Sequence, residues 1–294
     1  MIRHRESPPT SFDTETGILF RSEDKKPAAP EIIDLCCTNS CHAGCQFCYL
    51  SAIPEGQHSD LEWIQQQILS LPEMPFEIAI GGGEPTAWPY LLDFINWCRE
   101  QGIVPNAAIG PAANKDIAKQ ILKKDQLGSI GISVVPGMVG SLELLRLAKE
   151  HTEIPVRAHC IMRKDWLEDW KAMAGILPHY VGGVVFLNFK PHGRGLASRE
   201  LVPSLSDIQE IFTTYNISIG FDSCSSCALR HLVPKELIDE CDGGKYSMFI
   251  DGVEQKFSQC SFLDGTPFGD IMLDEAWRNM EHIPVCKYAA KELK

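Results

Sequence analysis

Short β-branched apolar runs alternate with amphipathic stretches from Glu31 onward, and this rhythm restricts the fold more than any other feature of the chain. The apolar runs are Ile32–Leu35, Phe76–Ile80, Ile103–Ile109, Ile130–Val135, Pro155–Met162 and Val184–Phe189. Between them, around Leu61–Ser70, Tyr90–Gln101, Ile117–Lys124, Leu142–Lys149 and Trp166–Leu177, the apolar residues take helical spacing. Strands joined through helices run parallel, because the crossover is too long for a hairpin. The alternation therefore predicts an α/β fold, a parallel sheet or barrel with helices outside. No solenoid-type repeat is present.

Helices cover the outer face of a parallel barrel, so polar residues within the strands should point inward. In Val156–Met162 the outer set is Val156, Ala158, Cys160 and Met162, which leaves Arg157 and His159 inside. In Ile130–Val135, Ile130, Ile132 and Val134 are outer and Ser133 is inner, and Asn106 falls inside by the same rule. In Val184–Lys190 the outer set reads as Val185, Leu187 and Phe189, with Asn188 and Lys190 inside. Polar groups at strand ends suit a ligand site at the C-terminal rim of a barrel.

Both ends of the chain depart from the rhythm. Residues 1–30 are rich in Pro, Ser and charge and read as an extension or linker. After about residue 200, Ser206–Tyr215 reads as a helix capped by Ser206, with Asp207 in its first turn. Ile217–Phe221 reads as a strand, and Met248–Phe257 as a hairpin around Asp251-Gly252. These elements predict a smaller α+β domain at 201–294, beside a barrel at 31–200.

Composition narrows the function. The net charge is −12, and the basic pairs Lys25-Lys26 and Lys123-Lys124 are isolated, which disfavours a nucleic-acid or anionic membrane partner. No apolar run approaches the roughly 20 residues a membrane helix needs. Pro8-Pro9 and polar residues follow the basic start where a signal peptide would carry an apolar core, so the reading is cytoplasmic. The 12 cysteines of a long chain without an export signal then point to metal or redox chemistry rather than disulfides. Cys98 and Cys160 fall in apolar patterns and read as ordinary buried thiols.

Cys41-His-Ala-Gly-Cys45-Gln-Phe-Cys48 offers three thiolates in one short loop. Three cysteines can hold three irons of a [4Fe–4S] cube and leave the fourth iron open to another molecule. The same loop also suits a zinc knuckle completed by His42 or a distant residue. Gly81-Gly82-Gly83-Glu84-Pro85, at the end of the second strand, lets a ligand approach the backbone closely. Taken alone it is also an ordinary tight turn between strand and helix.

Together these motifs resemble the radical S-adenosylmethionine (radical SAM) superfamily. The matching residues are Cys41, Cys45, Cys48, the aromatic Phe47, and Gly82-Gly83-Glu84-Pro85, within roughly residues 31–195. The resemblance implies a partial (β/α)6 TIM-like barrel. It implies that SAM chelates the open iron and that an electron from the cluster releases a 5′-deoxyadenosyl radical. It assigns the SAM amine to Gly82–Glu84, and a ribose or carboxylate contact to Ser133. His159 and Asn188 could join that shell or be satisfied interior polar groups. A flavodoxin- or ferredoxin-type protein would donate the electron.

The later cysteines resemble an auxiliary-cluster module of the SPASM or twitch type, in Phe221-Asp-Ser-Cys224, Cys241-Asp-Gly-Gly, Ile250-Asp-Gly252 and Gln-Cys260. Cys224, Cys227, Cys241 and Cys260 would close a second [4Fe–4S] site, with Cys286 as a possible substitute and a structural zinc site as the alternative. Enzymes with such modules often modify ribosomally made peptides oxidatively. About 30 residues precede the barrel, so a peptide would need a partner protein or direct binding. A small-molecule or nucleoside tailoring enzyme is the second candidate. A zinc or electron-carrier protein is the non-enzymatic one. Lys190-Pro-His-Gly-Arg194-Gly195 could present Arg194 to an anionic substrate group or use it in a structural pair.

Overall fold

A computed structural model of the chain describes residues 1–6, 8–123, 126–225, 234 and 241–282. The expected strands form as β4 (Ile32–Cys36), β5 (Glu77–Gly81), β6 (Val104–Ile109), β7 (Ile130–Val134), β8 (Val156–Met162) and β9 (Gly183–Asn188), following three N-terminal strands. They pair in sequence order and in parallel. Helices α1 (Leu61–Leu69), α2 (Leu91–Glu100), α3 (Lys115–Ile121), α4 (Val139–His151) and α5 (Leu167–Met173) connect them. Asp60 caps α1 by accepting from the Trp63 N–H, and Asn114 caps α3 in the same way. Ile33, Ile78, Ile132, Ala158 and Phe186 are buried between the sheet and these helices, as are Cys98 and Cys160.

The face assignment is right for β8 and wrong for β9. Phe186 packs against Trp170 of α5 and against Tyr215, with ring centroids 6.4 and 5.3 Å apart. Val184 and Phe186, not Val185, Leu187 and Phe189, therefore face the helices. Leu187 registers with Ile161, and both border the interior. A strand buried on both faces is apolar throughout, so its sequence carries no alternation to read. Asn188 still reaches the interior because it ends the strand.

Residues 1–30 are more than a linker. β1 (Ile2–Glu6), β2 (Pro9–Asp13) and β3 (Leu19–Arg21) form an antiparallel sheet of their own. Phe12 stacks on Phe76 at 5.1 Å, beside Val104 and Leu19. Arg3 donates to the carbonyls of Pro75 and Gly102, and Arg5 to those of Ala29, Pro30 and Met74. All these partners lie at or before the N-terminal ends of the barrel strands, so the small sheet closes the end opposite the rim. Buried arginines that satisfy loop carbonyls look, in sequence, like the charge of a linker.

The C-terminal part builds no sheet of its own among the described residues. α6 (Leu205–Thr214) is capped by Ser204, not Ser206: Ser204 and Asp207 exchange both bonds of a capping box, which needs the acid three residues after the cap. β10 (Ser218–Phe221) then pairs in parallel with β9. β11 (Ser247–Asp251) crosses to pair in parallel with β4, and β12 (Lys256–Ser258) and β13 (Thr266–Pro267) follow antiparallel, the hairpin turning just after Asp251. The result is one ten-stranded sheet, β10-β9-β8-β7-β6-β5-β4-β11-β12-β13. Helix α7 (Leu273–Asn279) packs near α1. Among the described residues, no helix is long and apolar enough to cross a membrane.

If the small sheet is part of the fold, Phe12→Ala should cost about 3–5 kcal/mol, the usual range for emptying a buried phenylalanine site. Ile2→Ala, at an exposed position of the same sheet, should change little. Urea denaturation of both variants checks this, and equal midpoints would show that residues 2–21 do not contribute.

Candidate functional site

The site begins where β4 and β5 end. Beyond β4 the backbone runs beside Gly81–Glu84: the Gly83 N–H donates to Thr38 O at 2.6 Å and the Glu84 N–H to Ser40 O at 2.9 Å. A Cβ on Gly82 would lie 2.4 Å from Thr38 O, and one on Gly83 2.4 Å from Ser40 O. Gly82 also has φ +123°, so both positions exclude a side chain. Glu84 is buried. Its Oε1 accepts from the Thr86 N–H and hydroxyl, and its Oε2 accepts from the Gly110 N–H at 2.8 Å. Burial pushes its carboxyl up to about 6. Glu84 thus ties the end of β5 to the end of β6.

The cysteine loop is fixed from its other side by the segment after β9. Arg194 donates from Nε to Cys45 O at 2.9 Å and from its guanidinium to Ala52 O at 2.8 Å, and its N–H donates to Cys48 O. Gly193 has φ +54°, and a Cβ there would lie 2.2 Å from Tyr49 O. Of the two readings of Arg194, the structural one describes its bonds. Phe47 meets the edge of Trp166 at 4.9 Å, and the Arg163 guanidinium lies 5.5 Å from its ring.

A cavity of about 370 Å³ opens at this rim. Cys41, Cys45, Cys48 and Phe47 of the cysteine loop border it, as do Gly82, Gly83 and Glu84 beyond β5 and Ser133, His159 and Asn188 of β7, β8 and β9. All the residues singled out around the first cluster therefore reach one space. The His159 ring lies over Gly131, where a Cβ would come within 2.2 Å of it. Burial lowers its pKa to about 4, so the imidazole is neutral at pH 7. Asn188 donates to Cys224 O at 3.5 Å, and its backbone N–H donates to Asp222. Lys190 is buried against Asp222, with its ammonium 4.5 Å from the Phe262 ring. Burial would lower the Lys190 pKa, but Asp222 and Cys224 outweigh it and hold the ammonium charged.

The thiols themselves fit a polynuclear metal centre. Burial raises Cys41, and burial followed by Cys41 and Cys48 pushes Cys45 up to about 11. Cys41, Cys45 and Cys48 all border the rim cavity, and thiolates gathered at one space repel each other unless a cationic centre sits among them. Among the described residues, no three His, Cys, Asp or Glu side chains form a group that could hold a single metal ion.

The later cysteines are only partly in view. Cys224 lies in the turn after β10, beside Lys190. Cys241 borders another cavity with Phe221, Ser223 and Tyr246. A Cβ on Gly243 would lie 2.7 Å from Gln259 O and 3.5 Å from the Cys241 sulfur, which brings the Cys241 segment against Gln259-Cys260. Cys227 and Cys286 lie outside the described residues. Sequence reasoning missed Asp222, Phe262 and Tyr49, which also border the rim cavity. Tyr49 follows Cys48 directly, and that adjacency was the available signal.

Fold and site together define an open parallel α/β barrel with a three-cysteine loop at its C-terminal rim. No protein-family model matches the sequence, and no curated protein does. Solved structures share the fold. Streptococcus suis SuiB bound to precursor peptide SuiA superposes with a TM-score of 0.66 at 15% identity, over 86% of this chain and 65% of that one. SuiB bound to S-adenosylmethionine gives 0.65 at 15% identity, over 85% and 66%. At such identity the likeness is one of fold, and the chain spans 65% of the length of the peptide-bound SuiB chain.

The close approach at Gly193 gives a test of how the loop is held. Gly44 is also left-handed, at φ +63°, but a Cβ there meets nothing within 4 Å. Gly44→Ala should therefore cost only the backbone term, about 1–2 kcal/mol. Gly193→Ala must also displace Tyr49 O, so it should cost more, as urea denaturation of the two variants would measure. Equal stability of the two variants would show that the Gly193 contact does not hold the loop.

Proposed function

We propose that this chain is a radical SAM enzyme that oxidatively modifies a peptide. The observation that carries the reading is the single rim cavity bordered by Cys41, Cys45, Cys48, Phe47, Gly82–Glu84, Ser133, His159 and Asn188. Cys41, Cys45 and Cys48 would hold a [4Fe–4S] cluster with one iron open. When bound, cluster and SAM supply a one-electron cleavage that releases a 5′-deoxyadenosyl radical able to abstract hydrogen from a carbon.

The protein's own groups prepare that chemistry. Arg194 and Gly193 keep the cysteine loop pressed to the rim. Backbone carbonyls within Gly82–Glu84 would accept the SAM amine, since the Glu84 carboxylate is engaged with Thr86 and Gly110. Phe47 presents an aromatic face that Trp166 and Arg163 hold in place. His159, being neutral, places no second cation beside the sulfonium of SAM. Walls of Leu187, Ile161 and Phe189 keep water from a reactive radical.

A peptide substrate is supported by the fold shared with SuiB, which has been solved with a precursor peptide. Cys224, Cys227, Cys241 and Cys260 would hold an auxiliary [4Fe–4S] cluster that takes up the electron left after abstraction. Its support is the position of Cys224 beside Lys190 and Asp222, at the cavity wall. A flavodoxin- or ferredoxin-type donor would reduce the first cluster.

Anaerobically reconstituted protein should carry about eight irons, four for each cubane site, and should release 5′-deoxyadenosine from SAM with dithionite. Replacing Cys41, Cys45 and Cys48 together by Ala should abolish that release and keep about four irons. Stoichiometric zinc with intact SAM would overturn the reading. Loss of iron on Cys286→Ala with none lost on Cys227→Ala would exchange those two ligands.

A further inference from the structure

A second chamber of about 350 Å³ lies beneath the rim cavity, inside the curl of the sheet. The two share Tyr49, Gly81, Gly82, Ala108 and His159 as walls, so a molecule can extend from one into the other. Ala79, Ala108 and Gly131 border the chamber from three neighbouring strands and leave it its room.

Two opposite charges border this chamber, and among the described residues neither has an ion-pair partner. Asp34, in the middle of β4, has no hydrogen-bond donor or cation at its carboxylate among the described residues; the charge it feels is that of Asp242. Arg157, in β8, lies along Gly182 and Gly183, and among the described residues its side chain makes one hydrogen bond, at 3.4 Å, to Val156 O. The polar groups between them are neutral or already engaged. The Asn106 amide donates to Glu77 at 2.9 Å and accepts from Ser129 at 2.9 Å, and His159 is uncharged. Both side chains stand open to solvent in the chamber, Asp34 on β4 and Arg157 on β8, so an entering molecule can reach each charge.

We propose that the chamber is the substrate-recognition site and takes a zwitterionic group of amino-acid size, with its cation at Asp34 and its carboxylate at Arg157. The substrate role rests on the reading of the rim cavity as the SAM site; the ligand chemistry rests on the chamber alone. A group so held would present its carbon skeleton to the walls the two cavities share. A free amino acid and a peptide with adjacent basic and acidic side chains offer the same pair of charges.

The test is calorimetric binding of small probes to reconstituted wild-type protein. L-lysine represents the free amino acid and N-acetyl-Lys-Glu-amide the peptide. N-acetyl-Lys-Gln-amide and N-acetyl-Gln-Glu-amide each lack one charge. At least one zwitterion should bind tenfold or more tightly than both charge-deleted peptides, and which one binds identifies the source. Asp34→Asn should erase the advantage conferred by the cation, and Arg157→Gln that conferred by the carboxylate. Equal binding of all four probes, or no binding of either zwitterion, overturns the proposal. Zwitterion binding to a protein that carries no iron and leaves SAM intact would keep the ligand assignment and overturn the reading of the rim cavity instead.

Discussion

Two pairs of backbone segments pressed together at the rim hold the site, and most of its other features follow from those contacts. Thr38–Ser40 lies against Gly82–Glu84, and Cys45–Tyr49 lies against Gly193-Arg194. Each approach is closer than a Cβ permits, so glycine is required at Gly82, Gly83 and Gly193. Polar backbone removed from water must find partners, and here the segments supply them to each other. A loop of short side chains and three thiols has little apolar surface to bury. Backbone hydrogen bonds and the Arg194 fork therefore replace packing as the means of fixing it. Arg suits this work because its planar group can reach two carbonyls at once, which Lys could not do with the same geometry.

Electrostatics then sort the rim into regions. Burial, and then Cys41 and Cys48, raise the Cys45 thiol, which marks where positive charge is wanted. A neutral imidazole and an amide border the same cavity from β8 and β9. Lys190, buried with Asp222, forms a paired charge at the wall, and a pair is tolerated where a lone ion would not be. Among the described residues Asp34 has no donor at its carboxylate, and it stands open in the chamber inside the barrel, where a ligand can reach it.

The sequence made the parallel strands legible because their β-branched runs are short, apolar and evenly separated by helical spacing. The three-cysteine loop and the glycine run were legible because both residue types serve few purposes at such density. The face of β9 was not, since Val184, Val185, Phe186 and Leu187 are all apolar and only packing distinguishes them. The N-terminal sheet was hidden because half-buried Arg3 and buried Arg5 donate to carbonyls more than 20 residues away in the chain. Ser204 and Ser206 both suit a cap, and only the reciprocal bond with Asp207 separates them. Arg194 was visible as a residue to watch, but its partners are carbonyls, which no sequence pattern names.

The route of the C-terminal strands was the least legible feature, and it has a physical cause. An open sheet leaves unpaired edges at β9 and β4, and such edges seek partners. β10 covers one and β11 the other, although they follow one another in the chain. β12 and β13 then end the sheet with short antiparallel strands, which offer little edge for a further chain to join. This division leaves Cys224 at one edge while Cys241 and Cys260 come in at the other. It also brings Ser261 to the Tyr49 hydroxyl, and Phe262 to the Tyr49 ring at 4.8 Å and to the Lys190 ammonium. The C-terminal segment is consequently a wall of the rim cavity. The cysteine loop and the later cysteines meet across Tyr49, Phe262 and Lys190, so a displacement of either segment must be felt by the other.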